Sequence, residues 1–132
     1  MTLVVDAGYV VAALVDSGSD GTWAEEQMAG ADLAAPHLMP MEVANILRRA
    51  ALAGDITADT AALAHGELLE LSVALFGYAP FASRVWELRD TVTAYDAWYV
   101  ALAEALHADL ATVDRRLSRA PGCVCSFRTP PP

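Results

Sequence analysis

The sequence predicts an α/β domain built on a mostly parallel central sheet, and three observations carry that expectation. Short apolar runs alternate with helical patterns along the chain, the order that gives strand–helix–strand crossovers and parallel pairing. Two of those runs, Leu3-Val4-Val5 and Leu110-Ala111-Thr112-Val113, end at an aspartate, Asp6 and Asp114. Hydrophobic residues make up 55% of the 132 residues and charged ones only 19%, which fits a buried partner surface or strands covered on both faces.

The elements follow in order. Leu3-Val4-Val5 is the first strand, 7–15 a helix and 16–21 a loop. A second helix over 22–29 is closed by Gly30. Leu33-Ala34-Ala35 is a short strand before Pro36. Pro40 suits a first helical turn, and Val43, Ile46, Leu47 and Ala50 then recur at helical spacing up to Ala53, where Gly54 ends the run. Thr57 opens a helix to about Glu70, 73–76 is a strand, and 81–89 is helical. Thr93-Ala94-Tyr95-Asp96 has the spacing of a capping box, and the helix after it carries Trp98, Tyr99, Leu102, Ala105 and Leu106. A strand over 110–113, a short helix over 115–119 and a last strand over 123–127 complete a single domain, 1–128, with a proline-rich tail at 129–132. No internal repeat is visible.

A chain of this length can bury a core without disulfides or structural metal. Its formal net charge of −9 opposes non-specific nucleic-acid binding by the whole surface, so any nucleic-acid contact must be local. All eight cations are arginine. The absence of lysine removes receiver-type phosphorylation domains and haloacid-dehalogenase-like phosphatases, and the latter's Asp-x-Asp start is missing too. Neither a phosphate-binding GxxxxGK[ST] loop nor a G-x-S-x-G elbow is present. Cys123 and Cys125 would share one face of the last strand, and without a second Cys/His pair they read as two reduced thiols rather than a zinc site. The start of the chain lacks a basic signal region, and no apolar run reaches bilayer length, so the expectation is a soluble, cytoplasmic protein without membrane contact.

The chemistry rests on acids. In open α/β sheets, ligands bind outside the carboxyl ends of the strands. Asp6 and Asp114 end strands, while Glu42 and Asp96 stand near the starts of helices, so all four are expected at one rim. Two carboxylates ~4 Å apart repel by roughly 4 kcal/mol at an effective dielectric near 20. A cluster of four therefore needs protons or a cation. Oxygen-only ligands favour Mg²⁺ or Mn²⁺ over zinc, and such an ion suits phosphodiester chemistry. Each acid also has a structural reading. Asp6 and Asp114 are candidate N-caps, Asp96 fits the third position of the capping box, and Glu42 complements a helix dipole.

Four blocks in order resemble the PIN-domain ribonucleases of the VapC toxin type: Leu3-Val4-Val5-Asp6-Ala7, PHLMPMEVANILRR from Pro36, TAYDAWYVALAEAL from Thr93 and LATVDRRL from Leu110. The resemblance runs from about residue 3 to 127 and implies a PIN-like three-layer α/β/α domain. It implies a Mg²⁺-dependent endoribonuclease, with Mn²⁺ as an alternative ion, that leaves a 5′-phosphate and a 3′-hydroxyl. Asp6, Asp96 and Asp114 would hold the metal, and Glu42 would orient or activate the attacking water. A tRNA- or rRNA-class substrate, a homodimer and a silencing VapB-type antitoxin are also implied. One departure is Gly8, where the family often has Ser or Thr. The alternatives are a PIN-fold interaction module that binds antitoxin or RNA without cutting it, and a DNA nuclease of the wider group.

Among the remaining residues, Arg115, Arg116 and Arg119 are candidates for phosphate or antitoxin contact. Trp98 and Tyr99 are expected in the core or a dimer interface. Trp23, Met28, Met39 and Met41 fit either the core or a groove for an antitoxin helix.

Overall fold

A computed structural model describes residues 1–132. Five strands, β1 (Thr2–Val5), β2 (Asp32–Pro36), β3 (Val73–Phe76), β4 (Asp109–Ala111) and β5 (Phe127–Arg128), form one sheet in the order β3-β2-β1-β4-β5. Every pairing is parallel. Helices α1 (Ala7–Val15), α2 (Ser19–Met28), α3 (Met39–Leu52), α4 (Ala58–Glu70), α5 (Ala82–Glu87) and α6 (Ala94–Leu106) cover both of its faces. After β1 the chain moves outward through β2 and β3, then returns to place β4 on the other side of β1. This reversal between β1 and β4 makes the crevice at their carboxyl ends the natural ligand site of the topology.

The strands read as apolar runs because the central ones are covered. Leu3, Val4, Val5, Leu110 and Ala111 are all fully buried, as are Tyr9 and Val10 of α1 and Val100 and Leu102 of α6. The Tyr9 hydroxyl donates to the Ala24 carbonyl and its ring meets Trp23 edge-on, which fastens α1 to α2. Their close approach requires Gly21, where a Cβ would fall 1.8 Å from the Asp16 carbonyl oxygen. No helix is long and apolar enough to cross a membrane.

Four local expectations are corrected. Helix α2 starts at Ser19, three residues before Thr22, because Asp16 Oδ1 accepts from the Gly18 amide at 2.7 Å and turns the chain early. The 81–89 segment divides into a 3₁₀ turn, Ala79–Phe81, and the short α5. The 115–119 segment is a 3₁₀ turn at Leu117–Arg119 rather than a helix. Cys123 and Cys125 lie in a turn before β5 instead of on a strand; both are free and partly buried. That turn is held by an ion pair from outside it. Arg84 binds Glu104 through two hydrogen bonds of 2.7 and 3.1 Å and donates to the Gly122 carbonyl, while Glu104 accepts from the Val124 amide. Burial beside Glu104 pushes the Cys125 thiol up to about 12, so it is a poor nucleophile.

Candidate active site

The rim at the carboxyl ends of β1 and β4 is built by four elements. Asp6 is the first residue after β1 and caps α1, its Oδ1 accepting from the Tyr9 amide at 2.8 Å. Asp114 follows β4 by three residues, and its Oδ1 accepts from the Arg116 amide at 2.9 Å. Asp96 sits in the first turn of α6, where its amide donates to the Thr93 cap at 3.2 Å. Glu42 sits in the first turn of α3, and its Oε1 accepts from the Tyr99 hydroxyl at 2.7 Å. Two of the acids, Asp6 and Asp114, thus fill the cap and turn-acceptor roles their spacing allowed. Such roles engage only part of each carboxylate, because a carboxylate has four lone-pair sites.

The acids also feel one another. Burial raises the Asp6 carboxyl from 3.8 to about 6, with hydrogen bonds from Thr112 and Tyr9 opposing and the charges of Asp96 and Asp114 adding to the rise. Burial raises Asp96, and Asp114 raises it further, against the hydrogen bond at Thr93 and the charge of Arg116. Burial likewise raises Glu42, with the Tyr99 hydrogen bond opposing and Asp96 adding. Asp6, Asp96 and Asp114 are thus mutually coupled, and Glu42 joins them through Asp96.

No three of the chain's acidic, histidine or cysteine side chains converge into a ready-made metal cage. The donor chemistry nonetheless fits a hard divalent ion. All the donors are oxygen, and their mutual repulsion favours a cation among them. Mg²⁺ in particular keeps several waters and binds through one or two carboxylates, so it needs no closed cage.

Three contributors escaped the reading of the sequence. Tyr99 was expected in the core or a dimer interface; its ring is buried as expected, but its hydroxyl fixes Glu42. Thr112, expected as a strand residue, is the one fully buried polar side chain; its oxygen accepts from the Asp114 amide at 3.0 Å while the hydroxyl supports Asp6. The apolar setting of both residues in the sequence hid their polar tips. Arg116, one of three arginines weighed together, stands apart from them by lying within 3.6 Å of Asp114. Arg115, in contrast, turns away and donates to the Pro130 and Pro131 carbonyls at 2.9 and 3.1 Å.

A model of the PIN domain family matches residues 3–122. The chain belongs to the PIN-domain family. Within it, the chain is 40% identical over 126 residues to Ribonuclease VapC1 of Mycobacterium tuberculosis, covering 95% of both chains. It is 37% identical over 129 residues to VapC ribonuclease Mb0985 of Mycobacterium bovis, covering 98% of both. Its fold is similar to the crystal structure of PAE2754 from Pyrobaculum aerophilum, with a TM-score of 0.73 at 23% identity over 96% of this chain and 83% of that one. The all-parallel five-stranded sheet is therefore a PIN-domain architecture, and this PIN domain is of the VapC type.

Proposed function

We propose that this PIN domain is a Mg²⁺-dependent endoribonuclease, with Mn²⁺ as the alternative ion, and serves as the toxin of a type II toxin–antitoxin pair. The observation that carries the reading is the crowding of carboxylates at the topological switch, where burial and mutual repulsion hold Asp6, Glu42 and Asp96 above their ordinary range. Structural caps have no need of that electrostatic cost; a cation site does. The ribonuclease names of relatives at 37 and 40% identity support RNA as the substrate.

In this reading Asp6, Asp96 and Asp114 would hold the ion. When bound, it would supply Lewis-acid polarisation of the phosphodiester and a lowered pKa for water. The residues of the chain do the rest. Glu42, oriented by the Tyr99 hydroxyl, accepts a proton from the attacking water. Thr112 holds Asp6 and the backbone of Asp114 in register with each other. Arg116 meets a phosphate oxygen, which supplies locally the positive charge that a net −9 surface lacks. A tRNA- or rRNA-class substrate, a cytoplasmic location, a homodimer and a VapB-type antitoxin complete the proposal. Exposed Leu63, Leu69 and Leu75 are the kind of apolar surface that protein partners cover.

The test is incubation of the purified, antitoxin-free protein with total bacterial RNA, with and without Mg²⁺, beside an Asp96→Asn control. The expected product is a discrete fragment that carries a 5′-phosphate and requires both Mg²⁺ and Asp96. Intact RNA after treatment with folded protein across several RNA pools would favour the second reading, an interaction module that binds antitoxin or RNA without cutting. Gly8 is the observation on that side, since it leaves no hydroxyl beside Asp6.

A further inference from the structure

Beside the acids lies an open cleft of about 340 Å³ that shares Asp96 and Asp114 with them. Thr91, Thr93 and Arg116 form its polar walls, and its apolar floor includes Leu117 and Ala120. The hydrogen-bonding state of each polar wall is defined. Thr93 is committed to Asp96 on both counts: its oxygen accepts from the Asp96 amide at 3.2 Å and its hydroxyl supports the Asp96 carboxyl. The Thr91 hydroxyl donates to the Leu88 carbonyl at 3.2 Å, which leaves its oxygen free to accept. The Arg116 side chain is 92% exposed and touches Asp114 only through Nε at 3.6 Å, so its terminal N–H donors are open.

An apolar floor, one free acceptor and a cation at the mouth complement a single nucleobase and its phosphate. The volume lies at the small end of ligand pockets, which run from roughly 300 to 1,000 Å³. That space suits one unstacked nucleoside. Sequence-specific RNA recognition works on splayed-out bases of this kind. We propose that this cleft binds the unpaired nucleoside next to the scissile phosphate, and that Thr91 reads its base edge. The proposal rests on the nuclease reading, because the adjoining acids are what mark one phosphate for cleavage. It places base selectivity at a single position beside the cut.

Two measurements test the cleft separately from the nuclease. The first titrates the four neutral nucleosides into protein with divalent ions chelated, followed by amide NMR shifts. Neutral probes need neither the ion nor the phosphate. Binding in the millimolar range is expected, with one base preferred and shifts centred on Thr91, Thr93 and Ala120. Ala120→Leu fills the floor and weakens binding by roughly tenfold, the equivalent of one lost apolar contact. Thr91→Val keeps the shape, removes the acceptor and changes the order of preference among the bases. The second measurement sequences the 5′-phosphate ends produced from RNA by the wild type and Thr91→Val. The wild type shows a base preference at one position flanking the cut, and the variant redistributes it. Cleavage with an identical end profile in Thr91→Val, or no nucleoside-induced shifts at the cleft of folded protein, overturns the proposal and leaves the nuclease reading standing. Nucleoside binding that Ala120→Leu abolishes, without RNA cleavage by the wild type, sinks the nuclease reading and keeps the nucleoside site.

Discussion

Gly8 follows Asp6 by two residues in the first turn of α1, and a Cβ built there would lie 3.5 Å from Val113 and 3.9 Å from Asp6 Oδ1. A side chain therefore fits, and a serine hydroxyl would reach the carboxylate. Gly8→Ala should gain only the helix-propensity difference, about 0.4–1 kcal/mol, without changing metal affinity. Gly8→Ser should add a hydroxyl beside Asp6 and raise both Mg²⁺ affinity and RNA cleavage. Thermal melts and Mg²⁺ titration of both variants check this; equal metal affinity in the two would show that the missing hydroxyl is immaterial. Tyr99 gives a second prediction at this scale. Tyr99→Phe removes the hydrogen bond to Glu42, which lowers the Glu42 pKa, so that carboxyl should titrate higher in the variant. The proton acceptor then needs a higher pH, and the rising limb of the pH–rate profile should move upward. The stability lost should be only about 1 kcal/mol, because Glu42 reaches solvent. An unshifted profile with normal stability would remove Glu42 from the role of base.

At the scale of elements, most of the architecture was legible because local signals and packing agree. Helix α1 and strand β3 fall on the expected residues, and Thr93 caps α6 through the Asp96 amide, the first half of the capping box its spacing implies. Asp6, Glu42, Asp96 and Asp114 were expected at one rim; the fold couples their charges, and no three of them converge into a ready-made metal cage. What the sequence could not show was anything decided by distant partners. The segment around Cys123 and Cys125 alternates like a strand, yet it is claimed by the Arg84–Glu104 pair, whose members are 20 residues apart and far from the turn in sequence. Arg115 had the same local setting as Arg116, but the carbonyls of Pro130 and Pro131 draw it to the tail. The ion pair gives a prediction of its own. The Glu104 side chain is only 13% exposed and also accepts from the Val124 amide. Glu104→Gln should therefore destabilise by about 1.5–3 kcal/mol, the range for hydrogen bonds to a charged group. It should also free the turn, so that Cys123 reacts faster with a maleimide. Unchanged thiol reactivity would mean that the turn is held by something other than this pair.

Over the whole molecule, the acid cluster sets stability against function, and the sign of the effect can be worked out. Asp6 has its carboxyl raised from 3.8 to about 6 in the folded state, first by burial. A raised folded pKa means that the fold prefers the neutral form. The stability this group contributes is complete below about 3.8 and is lost as pH rises through about 6. Glu104 acts in the opposite sense: burial would raise it, but the hydrogen bonds from Arg84 and the Val124 amide together outweigh that and lower its folded pKa, so its contribution is present above 4.5 and lost as pH falls below that. Metal-free protein should accordingly be most stable in mildly acidic solution and less stable at neutral pH. Asp6→Asn isolates the first effect, because asparagine retains the cap on α1 and carries no charge. A rise from 3.8 to about 6 corresponds to at most about 3 kcal/mol, and water at the partly open rim reduces it. The stability gained by Asp6→Asn should be near zero at the acid end and reach its plateau above about pH 6, as measured by urea unfolding in chelator. Addition of Mg²⁺ at neutral pH should then stabilise the wild type and leave Asp6→Asn nearly unaffected, because binding to the folded state alone shifts the unfolding equilibrium. A gain from Asp6→Asn that is independent of pH would show that the buried charge is not the cost. Equal Mg²⁺ stabilisation of both proteins would place the ion away from Asp6. If both expectations hold, the same carboxylates that weaken the empty fold at neutral pH are those that the ion recruits, and metal binding and folding are thermodynamically linked at this rim.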